Sequence, residues 1–128
     1  MRFTNIRLYD YEELLGLSRG YTVMQFKVRE GSWLSGKKLR ELRLADEGVL
    51  ILGIYRRVNG KEIYIGAPRG DTVIKVGDTL ICYGPEETLV NLVYRIKGPR
   101  GDKEHAVAVK KELVRKHEAE AELGEKIA

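Results

Sequence analysis

The sequence predicts an α+β fold in which a sheet of four or five mostly antiparallel strands carries two main helices. Three stretches carry that expectation: a continuously apolar run over residues 49–54, an Asn59-Gly60 pair just beyond it, and apolar residues at helical spacing from Leu89 to Ile96. Unbroken apolar character suits a central strand covered on both faces. Asn-Gly between apolar runs is the strongest short hairpin signal, because both central residues of a type I′ turn take positive φ. Apolar positions at i, i+3, i+4 and i+7 build one side of an amphipathic helix.

Taken in order, Asp10 and Glu13 have capping-box spacing ahead of Leu14, Leu15 and Leu17, predicting a short helix over 10–17 that Ser18-Arg19-Gly20 ends. Residues 21–29 alternate, with Met24, Phe26 and Val28 on one side and Gln25, Lys27 and Arg29 on the other, which is a half-buried strand. Ser35 can cap a second short helix, stapled by Leu34 and Leu39 and ended near Asp46-Glu47-Gly48. After the apolar strand and its hairpin partner at 62–66, Ala67-Pro68-Arg69-Gly70 reads as an exposed connection. Residues 72–76 and 79–83 read as two further strands, turned by Gly77-Asp78. Pro85 at N1 with Glu86 and Glu87 opens the helix that carries Leu89, Leu92, Val93 and Ile96, and Gly98-Pro99 closes it. Beyond Gly101 the chain is rich in Ala, Glu and Lys without an apolar stripe, so it reads as a helical or frayed tail outside the core. The organisation is a leader with a short helix over 1–19, a domain over 20–97 and a charged tail over 98–128.

Composition narrows the function classes. The chain has 128 residues, enough for one core, and 43% hydrophobic against 33% charged residues is an ordinary globular balance. Net charge is +4, unevenly placed: residues 102–128 hold six Lys/Arg against seven Asp/Glu, and the first 101 hold 17 against 12. That excess attracts small anions but forms no dense basic run, so nucleic acid is not an expected partner. Cys82 is the single cysteine, so no internal disulfide forms and a reducing compartment is expected. No secretory signal opens the sequence, and the longest apolar run, Gly48 to Tyr55, is far short of the roughly 20 residues that span a bilayer.

Catalysis finds little support. His105 and His117 lie in the polar tail and read as solvated, and no carboxylate pattern around them suits a metal. Cys82 sits within an apolar strand, where a thiol packs as a small hydrophobe. There is no G-x-G-x-x-G and no Walker A motif, so no enzyme activity, cofactor or metal is expected. The constellation of interest is basic. Arg56, Arg57 and Asn59 flank the hairpin and Arg69 follows Pro68 after its second strand, so these five residues are the candidate ligand-binding set. Guanidinium forks suit phosphate, and Tyr55 and Tyr64 offer stacking faces. The competing account is a hairpin rim kept charged against edge pairing.

The series Gly31-Ser32-Trp33-Leu34-Ser35-Gly36-Lys37-Lys38-Leu39-Arg40-Glu41-Leu42, then residues 48–54, Pro68, Asp71-Thr72, Gly77-Asp78-Thr79-Leu80 and Tyr83-Gly84, resembles the TrkA C-terminal domain, also called RCK_C, of regulators of potassium conductance. The resemblance covers about residues 20 to 97. It implies an α+β domain that dimerises and serves a membrane potassium or cation transporter or channel, fused or separate, from the cytoplasmic side at the cytosolic face of the membrane. It also implies a ligand between two copies, cyclic di-AMP or another nucleotide, with Arg56 placed to approach phosphate and Pro68 as a pocket wall. Two departures stand out. No Rossmann lobe precedes the domain in this sequence, so NAD-type ligands are not expected, and Ala67 stands where cyclic di-AMP binders carry a polar residue or histidine. The leader around Tyr9 to Leu15 resembles the junction in members whose domain follows transmembrane helices. The leading expectation is therefore a ligand-sensing regulatory domain, and its rival is a dimerisation or protein-interaction module without a small ligand.

Overall fold

The computed structural model describes residues 20–124. Its sheet contains β1 (Tyr21–Lys27), β2 (Leu50–Val58), β3 (Lys61–Gly66) and β4 (Thr79–Pro85) in the order β1-β4-β2-β3, with every pair antiparallel. Helix α1 (Leu39–Leu42) leads into a 3-10 turn (Leu44–Glu47); α2 (Glu86–Tyr94) and α3 (Pro99–Glu122) follow the sheet. The expected α+β class and strand number hold. The helix expected over 10–17 lies outside the described residues.

The hairpin forms where Asn59-Gly60 places it, with φ of 51° and 75° at the two turn residues. Along β2 the pairing with β4 shifts between Ile51 and Gly53, a bulge that reverses the strand's alternation. Ile51, Ile54 and Ile65 join Leu80, Cys82, Leu89 and Leu92 in one core, closed at its ends by Val28, Trp33, Leu34 and Ile74. Burial pushes the Cys82 thiol up to about 12, the behaviour of a packed hydrophobe.

Several elements differ from the sequence reading. Strand β2 is central but, among the described residues, covered on one face only: Ile54 is fully buried, whereas Leu50 is 54% and Leu52 41% exposed. Residues 72–76 do not form a ladder strand. Their peptide groups instead bind the entry to α1, with Ile74 N–H to Lys37 O at 3.1 Å, Gly36 N–H to Ile74 O at 2.7 Å and Leu39 N–H to Thr72 O at 2.9 Å. Gly77 and Asp78 do close a turn into β4, with Asp78 N–H to Lys75 O at 3.1 Å and Gly77 at φ 94°, and they also exchange hydrogen bonds with Val28. Ser35 does not cap α1, because its hydroxyl donates to Ser32 O at 2.9 Å; the carboxylate of Glu41 accepts the Lys38 N–H and does the capping.

Pro85 lies just before α2, and Pro99 takes the first-turn position of α3 instead of ending a helix. Helix α2 stops at Tyr94 because Arg95 turns extended, φ −66° and ψ 126°, and drives its side chain inward. Ile96 consequently leaves the helical stripe and is exposed. The largest departure is the tail. It is a 24-residue helix with Gly101, Ala108 and Glu112 buried against the domain, not a segment standing off the core. Its inward side is small or polar, so no apolar periodicity announced it. No described helix is long and apolar enough to cross a membrane.

Candidate functional site

The hairpin divides the five candidate residues between its two ends. At the turn end, Arg56, Arg57 and Asn59 line a groove of about 650 Å³ together with Lys27 and Lys75. Arg56 is committed to the fold here. Its Nε and Nη2 donate to the two Asp78 oxygens at 2.9 and 2.8 Å, and Nη2 also reaches Val73 O at 2.7 Å. Asp78 is buried and accepts the Lys75 N–H as well, at 2.9 Å. Its hydrogen bond raises the affinity of Arg56 for its proton despite partial burial. Asp78 is therefore the carboxylate that relieves the local cationic charge. Arg57 is exposed, with a 3.4 Å contact to Gly60 O, and Asn59 is exposed in the turn.

Pro68 belongs to a second groove, of about 370 Å³, at the open end of the hairpin. Leu39, Leu44, Leu50 and Ile51 give it an apolar floor and Arg40 and Arg43 a basic rim. Arg69 follows at the surface, its carbonyl accepting the Thr72 N–H. The chain turns into this groove after Ala67, which holds φ 46° and donates its N–H to Leu52 O at 2.9 Å. Val58 lies six residue steps along β2 from Leu52, so the two ends are roughly 20 Å apart at about 3.4 Å per step. The five residues do not converge within one chain. Nothing in the sequence singles out Arg40 and Arg43 as groove residues, since two arginines three apart beside a short helix are indistinguishable from ordinary solvated charge.

Between the two grooves lies the open face of β2 and β3. Tyr55 and Tyr64 pack with ring centres 4.9 Å apart. The Tyr64 ring lies across Gly53 and Gly66; a Cβ on Gly53 would sit 2.5 Å from its hydroxyl, so glycine is what lets the ring lie flat. Leu50, Leu52 and Tyr64 are exposed on or beside this face, and Val58, Ile63 and Val76 are exposed near the turn end.

A third cluster lies beneath α3. Glu47 is fully buried and accepts from Arg95 Nη1 and Nη2 at 2.9 and 2.8 Å, and His105 Nδ1 lies 2.5 Å from the same carboxylate. His105 also stacks on Trp33 at 5.2 Å, while Arg95 packs over that ring at 4.7 Å. His105 is thus a packed partner and not a solvated tail residue, whereas His117 is exposed. Among the described residues no group of His, Cys, Asp and Glu is arranged to hold a metal.

Helix α3 is fastened at its middle by Glu112, which accepts from the Tyr21 hydroxyl at 2.9 and 3.0 Å. Burial first, then that hydrogen bond and the carboxylate's charge, push the Tyr21 hydroxyl up to about 12. A raised folded-state value means that the neutral phenol is the form the fold keeps. The contribution is complete below the ordinary tyrosine value of 10.0 and declines as pH climbs from there toward 12. Urea midpoints measured from pH 8 to 11.5 are expected to fall more steeply in the parent protein than in Tyr21→Phe. Parallel curves for the two would refute this account.

The family model of the TrkA-C domain matches residues 23–97. The Ktr system potassium uptake protein A of Vibrio alginolyticus is 43% identical over 76 residues, which are 59% of this chain and 32% of that protein. A probable alpha-L-glutamate ligase of Rhodopirellula baltica is 32% identical over 84 residues, 66% of this chain and 20% of that protein. The chain therefore spans about a third or less of these relatives' length. Among solved structures, the C domain of the regulator of conductance of potassium from the transport protein KtrA, in complex with cyclic diadenosine monophosphate, superposes with a TM-score of 0.49 at 21% identity; the match covers 69% of this chain and 98% of that one.

Proposed function

The chain belongs to the TrkA-C domain family, and from that premise we propose that it is a regulatory domain of a potassium or other cation transport system, binding a small anionic ligand between two copies of itself. Its place is the cytosolic face of a membrane transporter or channel, fused or separate. The observation that carries the reading is the open apolar face of the β2–β3 hairpin with a basic groove at each end. A two-fold axis through the middle of that face buries Leu50, Leu52 and Tyr64 against their own copies. It also runs the two hairpins head to tail. Arg57 and Asn59 of one copy then approach Pro68, Arg69 and Arg40 of the other, and the five candidate residues become one site per half-dimer. Arg56 forms the wall of that site and supplies its charge while its fork stays on Asp78. A two-fold cyclic dinucleotide such as cyclic di-AMP matches such a pair of sites, with phosphates for the guanidinium groups and bases for the apolar floor.

Light scattering at micromolar concentration is expected to give twice the 14.6 kDa chain mass, and Leu50→Asp to return it to one. Calorimetric titration with cyclic di-AMP, other cyclic dinucleotides and adenine nucleotides tests the ligand. Arg57→Ala is expected to weaken binding about tenfold or more, the loss of one charge-assisted contact. The rival reading, an assembly module without a ligand, draws on two arginines already paired internally, Arg56 to Asp78 and Arg43 to Asp46. It predicts a dimer with heat-silent titrations across the whole panel.

A further inference from the structure

The grooves at the two ends of the hairpin differ in how their charge is met. At the turn end, Glu62 and the buried Asp78 line the groove beside the basic residues. At the open end, Arg40 and Arg43 line the groove and no Asp or Glu does. Of the acids close in sequence, Glu41 accepts the Lys38 N–H, Asp46 accepts from Arg43 Nε at 2.7 Å, and Asp71 is exposed beyond Gly70. Arg43 Nη1 and Nη2 and the whole Arg40 guanidinium therefore have no hydrogen-bond partner among the described residues.

The backbone is strained at this same groove. Among the described residues, three that are not glycine hold positive φ. Asn59 does so in the hairpin turn, a position that suits asparagine. The other two stand at the open end: Arg43, at φ 51° and ψ 44°, lines the groove, and Ala67, at φ 46°, leads into its Pro68. Where the chain needs a left-handed residue again, after the 3-10 turn, it uses Gly48 at φ 80°. An arginine at 43 carries a Cβ penalty that glycine escapes. The pair with Asp46 does not offset it, because the two side chains are 70% and 43% exposed and water screens them. Strain of this kind persists at ligand clamps, where the side chain itself is needed.

We propose that Arg43, together with Arg40, holds a phosphate group of the ligand in the open-end groove, with apolar parts of that ligand on Leu39, Leu44 and Ile51. Asp46 keeps the Arg43 fork at the groove through Nε alone, and both Nη groups meet the anion. This role rests on the regulatory reading for the ligand's class, but it needs the groove of one chain only.

Inorganic pyrophosphate, titrated into the full chain and followed by amide chemical shifts, tests this without a base or a second copy. The shifts are expected to centre on residues 39–45 and 67–70. Arg43→Gly is expected to weaken binding about tenfold, yet to melt no lower than the parent, since glycine takes φ 51° freely. Asp46→Asn is expected to tighten binding about two- to fivefold, the hold that an exposed pair exerts on its partner. An ion pair kept only for the fold predicts the reverse: both substitutions lower the melting temperature and neither moves binding. Shifts that are absent, that centre on the hairpin turn, or that survive Arg43→Gly overturn the proposal. So does an Arg43→Gly protein that melts more than about 4 °C below the parent. Silent titrations with cyclic dinucleotides beside an Arg43-dependent pyrophosphate site would refute the nucleotide reading and leave this one standing.

Discussion

Glu47→Ala is expected to cost about 3–5 kcal/mol, the penalty for stranding a buried charge when its partner is removed. The Arg95 and Glu47 side chains are both fully buried, so water cannot replace the lost carboxylate. Arg95 would keep only its bond to Asn91 Oδ1 at 2.9 Å and its contact with the Trp33 ring. His105 would lose its partner in the same step. For a domain of this size the melting temperature should drop by more than about 12 °C. The damage comes from an unpaired cation, not from a net gain supplied by the pair, and a second variant separates these. Glu47→Leu with Arg95→Met removes both charges and is expected to recover most of the loss, as apolar replacement of whole buried pairs does elsewhere. A Glu47→Ala protein that melts within about 3 °C of the parent, a loss below 1 kcal/mol, would show that the pair is solvated and the cluster is loose.

That cluster marks the limit of what the sequence could disclose. Asn59-Gly60 names its own turn, because the requirement for two positive φ values is local. The alternation of β1 and the apolar run of β2 are likewise local, and both strands lie where their patterns put them. Glu47, Arg95 and His105 are separated by 48 and 58 residues, and each alone resembles a surface charge. The sheet and the end of α2 bring them together, and no spacing rule connects them. The ligand set shows the converse. Arg56 to Arg69 are close in sequence and were expected to converge, yet an antiparallel hairpin carries its turn and its open end to opposite ends of the sheet. The apolar run of β2 was read as covered on both faces; among the described residues only the Ile54 side is covered, and Leu50 and Leu52 stay exposed on the other.

Helix α3 was the element the sequence most misplaced, and its removal tests the corrected account. A chain ending at Gly98 is expected to lose roughly 2–4 kcal/mol, from the polar contacts at about 0.5–1.5 kcal/mol each that fasten the helix. Asp102 accepts from Trp33 Nε1 at 2.9 Å, His105 reaches Glu47, Glu104 accepts from Asn91, and Glu112 accepts from Tyr21. The Arg115–Glu87 pair adds little, because Glu87 is 58% exposed. The loss stays below that of Glu47→Ala because removing the whole helix opens Glu47 and Trp33 to water instead of leaving them buried and unpaired. The melting temperature should fall by about 8 °C or more, with a red shift of Trp33 emission. Gly101 offers a finer probe of the same contact. A Cβ there would clash with the carbonyl oxygen of Ile96 and sit 2.7 Å from the Trp33 ring, and a backbone group cannot rotate away. Gly101→Ala is therefore expected to lift the start of α3 from Trp33 at a cost of about 1–3 kcal/mol, although alanine is the better helix former. Unchanged melting in both proteins would mean that α3 rests on the domain without stabilising it.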